Sequence, residues 1–413
     1  MGFGATPQGF NVHAFVVSKH NYMSWEELDL LIGIPKEIMQ NERRVSATPE
    51  TVALMVKDGL TVQVERSAGE GSYYSDDQYI EAGAQIVDDV ADIFAKADVI
   101  MKVKEPQFNA AKKCSEVEMM REGQYLMTFI HPAAPDNHEM VKALAAKGVI
   151  SLTLDGVPRI TRAQKMDALT SMSTCAGYKG MLMAMDSLTM FTPQVFTAVG
   201  MLKPINVLII GAGVAGLQAI ATAKRMGAVV HTADIRPEAE EQGKSVGAAV
   251  VKTGVPEDVA VGEGGYAKPV SEEWLAKERE AIKDIVSKCE IVVCTALIPN
   301  RKAPILVTEE MLKSMKPGSV VVDISIDQGG NCALTEPGEI VTKHDVIING
   351  IKNLPGRIPT TATWMFSKNI YEMLKYVLKD GKIVLDQNDE VIQGVLTTYG
   401  GKVVHEGALE AMS

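Results

Sequence analysis

Cysteine is scarce and scattered, with five in 413 residues at positions 114, 175, 289, 294 and 332. The number is odd, and no Cys-x-x-Cys pair or Cys/His cluster occurs. That excludes a disulfide framework and a zinc site, and it fits a reducing compartment. Excess positive charge is missing too. A net charge of −11 removes the basic footprint that nucleic acid or an anionic membrane surface requires, so neither is expected as a partner. An anionic ligand then has to be held by local backbone dipoles rather than by the overall field. The longest apolar window, Val207 to Ala223, contains three glycines and Gln218. Its strand-turn-helix pattern reads as nucleotide-binding structure, so no direct membrane span is expected. No internal repeat, low-complexity linker or second glycine-rich fingerprint appears. Residues 1–29 form an N-terminal extension whose apolar run Ala14-Phe15-Val16-Val17 is too short for a signal peptide.

What remains is the composition of a globular protein, 46% apolar and 23% charged. Its length exceeds one ordinary core and implies two domains. From Leu30 the chain alternates strands and helices. Thr48 is a good helix N-cap, Pro49 suits the first helical position, and Gly59 falls just past the helix end. Strands at 61–65, 98–104, 125–129 and 149–154 alternate with helices at 88–95 and 137–147. A long helical region over about 163–199 then leads to a second alternation, with strands at 205–210, 228–233, 291–295, 320–324 and 346–351. The pattern predicts an α/β protein of two Rossmann-like, doubly wound parallel-sheet domains with a cleft between them. The boundaries read as 30–164 plus 359–413 for the first domain and 165–358 for the second. A last helical stretch, 363–379, is apolar at Trp364, Phe366, Ile370, Met373, Leu374 and Val377 and suits packing back on the first domain.

The strongest local motif is Gly211-Ala212-Gly213-Val214-Ala215-Gly216. It follows a strand and opens a helix, the context G-x-G-x-x-G requires. Gly211 permits the tight turn, Gly213 lets backbone approach a pyrophosphate, and Gly216 lets the helix pack close to the sheet. Asp234 ends the next strand 23 residues after Gly211, where a carboxylate accepts hydrogen bonds from ribose hydroxyls and repels a 2′-phosphate. NAD(H) is therefore expected over NADP(H). The blander reading makes the glycines a plain turn and Asp234 a solvated strand end. Arg236 either shields the ribose region or is surface charge.

Ahead of this motif stands Pro158-Arg159-Ile160-Thr161-Arg162-Ala163-Gln164-Lys165-Met166-Asp167-Ala168-Leu169-Thr170, and behind it Gly264-Gly265-Tyr266-Ala267-Lys268. Together these resemble the NAD(H)-binding subunit of proton-translocating nicotinamide nucleotide transhydrogenase, from about Ile32 to the C-terminus. The resemblance implies that Arg159, Gln164 and Asp167, with Thr170 where the family usually has serine, orient the nicotinamide and its ribose, and that Lys165 and Met166 belong to the same loop. It also implies nucleotide contacts from Val214, Ile235, Glu278 and Leu297, and a mobile loop carrying Gly265 and Tyr266 over the cofactor. Hydride transfer suits such a loop, because the step needs a donor and an acceptor carbon held at roughly 3–3.5 Å rather than a nucleophile or a metal. From the residues alone, the same stretch could be a helix start capped by Thr161 or Asp167, with Arg159 and Lys165 as surface charge.

The first half also resembles alanine dehydrogenase, a relative of that subunit, at Asn41-Glu42-Arg43-Arg44-Val45, Lys102-Val103-Lys104-Glu105-Pro106, Phe129-Ile130-His131 and Asp327-Gln328-Gly329-Gly330. That likeness implies a pyruvate/alanine site at Arg44, Lys104, His131 and Asp327, in which Arg and Lys hold carboxylate and carbonyl while His passes protons. A vestigial pocket is the alternative. The transhydrogenase likeness implies a chain incomplete by itself. NADP(H) sits on a partner subunit, protons cross through membrane-embedded subunits, and this chain is a homodimer, cytoplasmic and peripheral to the inner membrane through those partners.

Overall fold

A computed structural model describes residues 30–262, 267–298 and 302–413. Two sheets organise it. The first has eight strands in the order Lys402–Val403, Leu396–Tyr399, Ile150–Thr153, Tyr125–Thr128, Val99–Met101, Leu31–Ile34, Thr61–Glu65 and Gln85–Val87. Its central strands are fully buried, as expected of a parallel sheet covered on both faces. The parallel pattern fails at one edge. Leu396–Tyr399 runs antiparallel to Ile150–Thr153, and Lys402–Val403 is antiparallel again. The sequence pattern marks no strand here, because these segments are short and lack a βα period.

The second sheet has seven strands, ordered Ala249–Val250, Val229–Ala233, Asn206–Ile210, Ile291–Cys294, Val320–Asp323, Val346–Asn349 and Ile340–Lys343. All pair in parallel except the last, which is antiparallel to its neighbour. Sequence order reverses between Asn206–Ile210 and Ile291–Cys294, where the doubly wound fold has its switch point.

The expected helix over 163–199 is shorter and broken. Thr161–Met166 is a 3₁₀ turn, and a linking helix runs from Ala168 to Ser187. Two antiparallel strands, Val195–Thr197 and Gly200–Leu202, follow as a hairpin. Pro193 has no N–H to continue a helix and disfavours helical backbone at Thr192, while Val195, Phe196 and Thr197 favour extended chain. The helix start at Thr48 is as expected. Thr48 Oγ1 accepts from Thr51 N, Thr51 Oγ1 accepts from Thr48 N, and Gly59 past the end has φ +84°.

The C-terminal helix, Pro359–Val377, begins four residues earlier than expected because Pro359 sits in its first turn. Phe366, Ile370, Met373, Leu374 and Val377 are fully buried in one core with Val99, Met127 and Leu152 of the first sheet. Trp364 is not among them. It is 51% exposed, on the outer face of the helix.

The linking helix packs on both halves, against the C-terminal helix and against the fingerprint helix Val214–Arg225. The second contact is close. A Cβ on Gly177 would stand 2.0 Å from the carbonyl oxygen of Ala215, and one on Gly180 would stand 2.7 Å from Ile324 Cδ1. Only hydrogen fits at Gly177, so Gly177→Ala must push the two helices apart. We expect it to destabilise the fold by about 1–3 kcal/mol, read as a lower midpoint of thermal unfolding. An unchanged midpoint would show that the crossing is not this tight.

Candidate functional site

At the switch point the ends of Asn206–Ile210 and Ile291–Cys294 open into a cleft of about 2470 Å³ that runs between the two sheets. The first strand ends in Gly211 at φ +91°, a conformation L side chains rarely adopt. A Cβ there would also lie 2.8 Å from Thr295 Oγ1 and 2.9 Å from Ala296 N. Gly216 is behind the cleft wall, where a Cβ would stand 1.9 Å from Gly211 O, so it serves packing. Gly213 faces open space, and Arg236 Nη2 at 3.8 Å is its nearest neighbour. The fingerprint helix starts here with no side-chain cap, leaving its first N–H groups and the positive end of its dipole to an anion. A tight turn, an open glycine and an uncapped helix end fit a pyrophosphate.

Asp234 is buried at the end of the adjacent strand, and its carboxylate is fully engaged. Oδ2 accepts from Ala212 N at 2.7 Å and from Arg236 Nη2 at 2.8 Å. Oδ1 accepts from Arg236 N at 2.9 Å and Nε at 3.0 Å. Asp234 therefore ties the phosphate turn to the next strand, and Arg236 is pinned against it rather than loose on the surface. Val214, Ile235, Glu278 and Leu297 line the same cleft. Burial, and then the charge of Asp234, push the Glu278 carboxyl up to about 7, against the opposing Arg279. Gly265 and Tyr266 lie outside the described residues.

The polar loop divides. Arg159 and Thr170 line the cleft, whereas Gln164, Lys165, Met166 and Asp167 are not on its wall. Met166 is buried in the first core, the Lys165 carbonyl accepts from Asn369 Nδ2 at 2.8 Å, and Gln164 is exposed. Of the two candidate caps, Asp167 is the one formed. Its Oδ1 accepts from Thr170 N at 2.8 Å and its Oδ2 from Thr170 Oγ1 at 2.6 Å. Asp167 thus caps the linking helix and fixes the Thr170 hydroxyl that borders the cleft.

The cleft's opposite wall gathers Arg44, Lys104, His131 and Asp327. His131 has φ +48° and its Nδ1 lies 2.6 Å from Asp155 Oδ1. Desolvation disfavours its charge, but Asp155 outweighs that and holds the imidazole above its ordinary pKa. Arg44 is buried and engaged. Nε and Nη2 donate to Glu42 at 2.8 and 2.6 Å, Nη2 also to Asn353 Oδ1 at 3.0 Å, and Nη1 to Met172 Sδ at 3.0 Å. Burial works against the Glu42 charge, yet Arg44 holds that carboxyl down at about 2.

Sequence reasoning missed Asp155 and Asn331. Asp155 follows the strand Ile150–Thr153, and a polar residue at the carboxyl end of a parallel strand was the available signal. Asn331, beside the paired glycines 329 and 330, carried no such mark.

The chain matches the family models described as alanine dehydrogenase/PNT, N-terminal domain, over residues 33–176, and alanine dehydrogenase/PNT, C-terminal domain, over residues 180–406. It is 42% identical over 378 residues to the first portion of a split NAD(P) transhydrogenase subunit alpha from Rhodospirillum rubrum, covering 91% of this chain and 97% of that protein. An alanine dehydrogenase of Methanococcus maripaludis is 32% identical over 394 residues, covering 92% and 96%. The crystal structure of a transhydrogenase from Sinorhizobium meliloti superposes with a TM-score of 0.77 at 36% identity, covering 91% of this chain and 99% of that one.

The Asp234 geometry generates a specificity test. NAD(H) should bind better than NADP(H), because a 2′-phosphate would be placed near the Asp234 and Glu278 carboxyls. Asp234→Ala should narrow that difference. Titration of both proteins with both nucleotides measures it, and equal wild-type affinities would contradict the assignment.

Proposed function

The chain belongs to the alanine dehydrogenase/transhydrogenase family, and from that premise we propose that it is the NAD(H)-binding subunit of a proton-translocating NAD(P) transhydrogenase. The observation that carries this reading is a single cleft bordered by an uncapped dinucleotide fingerprint on one side and by Arg159 and Thr170 on the other. Bound NADH supplies a hydride from C4 of its reduced ring, and NADP⁺ on a partner subunit takes it up at C4, leaving NAD⁺ and NADPH. The protein's own task is placement. Gly213 and the helix N-terminus hold the pyrophosphate, Asp234 the adenosine ribose, and Val214, Ile235, Arg236, Glu278 and Leu297 the flanks, with Gly265 and Tyr266 assigned to cover it. Arg159, Gln164 and Thr170 orient the nicotinamide end, and Asp167 keeps the Thr170 hydroxyl in one position. A ring held within a few tenths of an ångström of attack distance gains rate with no acid or base acting on it.

No helix among the described residues is long and apolar enough to cross a membrane. The proton path is accordingly assigned to membrane-embedded partners, and this chain to their cytoplasmic face. A second copy is assigned to the hairpin Val195–Leu202. Its residues Phe196 and Val199 are 76% and 99% exposed, and Met190 and Phe191 beside it are exposed too. An isolated two-stranded hairpin is marginal alone and gains from being covered. Phe196→Glu with Val199→Glu should turn a dimer into a monomer by analytical ultracentrifugation. A wild type that sediments as a monomer would overturn the assignment.

The alanine dehydrogenase reading stays in play because Lys104, His131 and Asp327 share the cleft and His131 is paired with Asp155. Arg44 weighs against it, since Glu42, Asn353 and Met172 already take its donors. One experiment separates the two. The chain with NAD⁺ and L-alanine should form no NADH above background, whereas mixed with an NADP(H)-binding component it should transfer hydride from NADH to NADP⁺. Gln164→Asn should slow that transfer strongly and leave NADH affinity nearly intact, a loss of transition-state geometry rather than of uniform binding. Gln164 is exposed, so the change leaves the fold alone. Alanine-dependent NADH formation abolished by Lys104→Ala or His131→Ala would reverse the choice.

A further inference from the structure

Behind the cleft wall that follows Ile291–Cys294 sits Asn331, fully buried. Its amide is spent entirely on the backbone of that wall. Oδ1 accepts from Ala296 N at 3.0 Å, while Nδ2 donates to Ala296 O at 2.9 Å and to Pro304 O at 2.8 Å. The first two bonds take both polar groups of Ala296, immediately before Leu297. The third reaches across to a second point on the wall, Pro304. Asn331 is itself held, since its N–H donates to both oxygens of Asp323 at 3.1 and 2.9 Å, and its carbonyl accepts from Leu306 N and Val307 N. Asp323 also accepts from Cys332 N and from Thr335 Oγ1. Ala296, Leu297, Pro304 and Leu306 all border the cleft. Two points of cleft-lining backbone are thereby fixed by one side chain, at the place where doubly wound folds bind their ligands.

We propose that Asn331 is a positioning residue for the dinucleotide, acting through the backbone of Ala296 and Pro304 without touching the ligand. This rests on reading the cleft as the NAD(H) site. Only an amide does this work, because the wall offers one N–H and two carbonyls, and the side chain must accept once and donate twice. Alanine leaves those three groups unanswered, and the wall must shift to find other partners or water.

The test is NADH fluorescence titration of the whole chain, with thermal unfolding measured alongside. Asn331→Ala should weaken NADH binding about tenfold, which corresponds to about 1.4 kcal/mol. Thr335→Val, which removes a bond to Asp323 but borders no part of the cleft, should lower the unfolding midpoint and leave NADH affinity at the wild-type value. That pairing separates positioning from general loss of stability. Should the alanine variant fail to fold, Asn331→Asp keeps the shape but lacks the two amide hydrogens, and the same loss is expected. Affinity within twofold of wild type in the Asn331 variant overturns the proposal, as does a parallel loss in Thr335→Val. A wild type that does not bind NADH overturns the nucleotide reading itself, before any variant is compared.

Discussion

The contact on which the rest of the structure depends is one carbonyl resting on one glycine. The linking helix Ala168–Ser187 carries the polar loop at its start and the cleft-bordering Thr170 in its first turn. Further along the same helix, Gly177 meets the carbonyl of Ala215, inside the first turn of the fingerprint helix. The element that presents Thr170 and the element that offers free N–H groups are thus locked at backbone distance. Neither can move far without the other, and close-packed interiors transmit such shifts rather than absorb them. For a reaction governed by the separation of two ring carbons, that rigidity is the useful property.

Buried charge flanks this frame. Arg44, Glu42 and Asn353 join residues more than 300 positions apart, and Lys102 lies between Glu37 and Glu116 at 3.5 and 2.9 Å. Desolvation pushes Glu37 up to about 7, with Lys102 opposing it. Ion pairs of this kind add little net stability over an apolar packing, but they penalise misplaced partners heavily. What they provide is geometry rather than stability.

Much of this was legible in the residues. Gly211, Gly213 and Asp234 announce a phosphate turn because their spacing is a local consequence of strand, turn and helix. Phe366, Ile370 and Val377 announce a buried helix by their period. What was hidden is what depends on distant partners. The strand Leu396–Tyr399 exists because Ile150–Thr153 offers an edge, and nothing within its own four residues requires it. Asp167 as a cap and Asp167 as a nucleotide ligand look identical in sequence, and the Thr170 bonds distinguish them only in three dimensions. Asn331 is the extreme case, since its importance lies wholly in the backbone groups that surround it.

The first sheet has one further property. Its edge is closed by strands near the opposite end of the chain, with Ser151 Oγ and Thr398 Oγ1 2.7 Å apart across 247 positions. As the chain leaves a ribosome, the second sheet's strands, which end at Asn349, are all present before this edge strand emerges. The unit begun first is therefore completed last. It waits with an open sheet edge while the nucleotide-binding unit forms, and that interval is when the nascent chain is most exposed to pairing with the wrong strand.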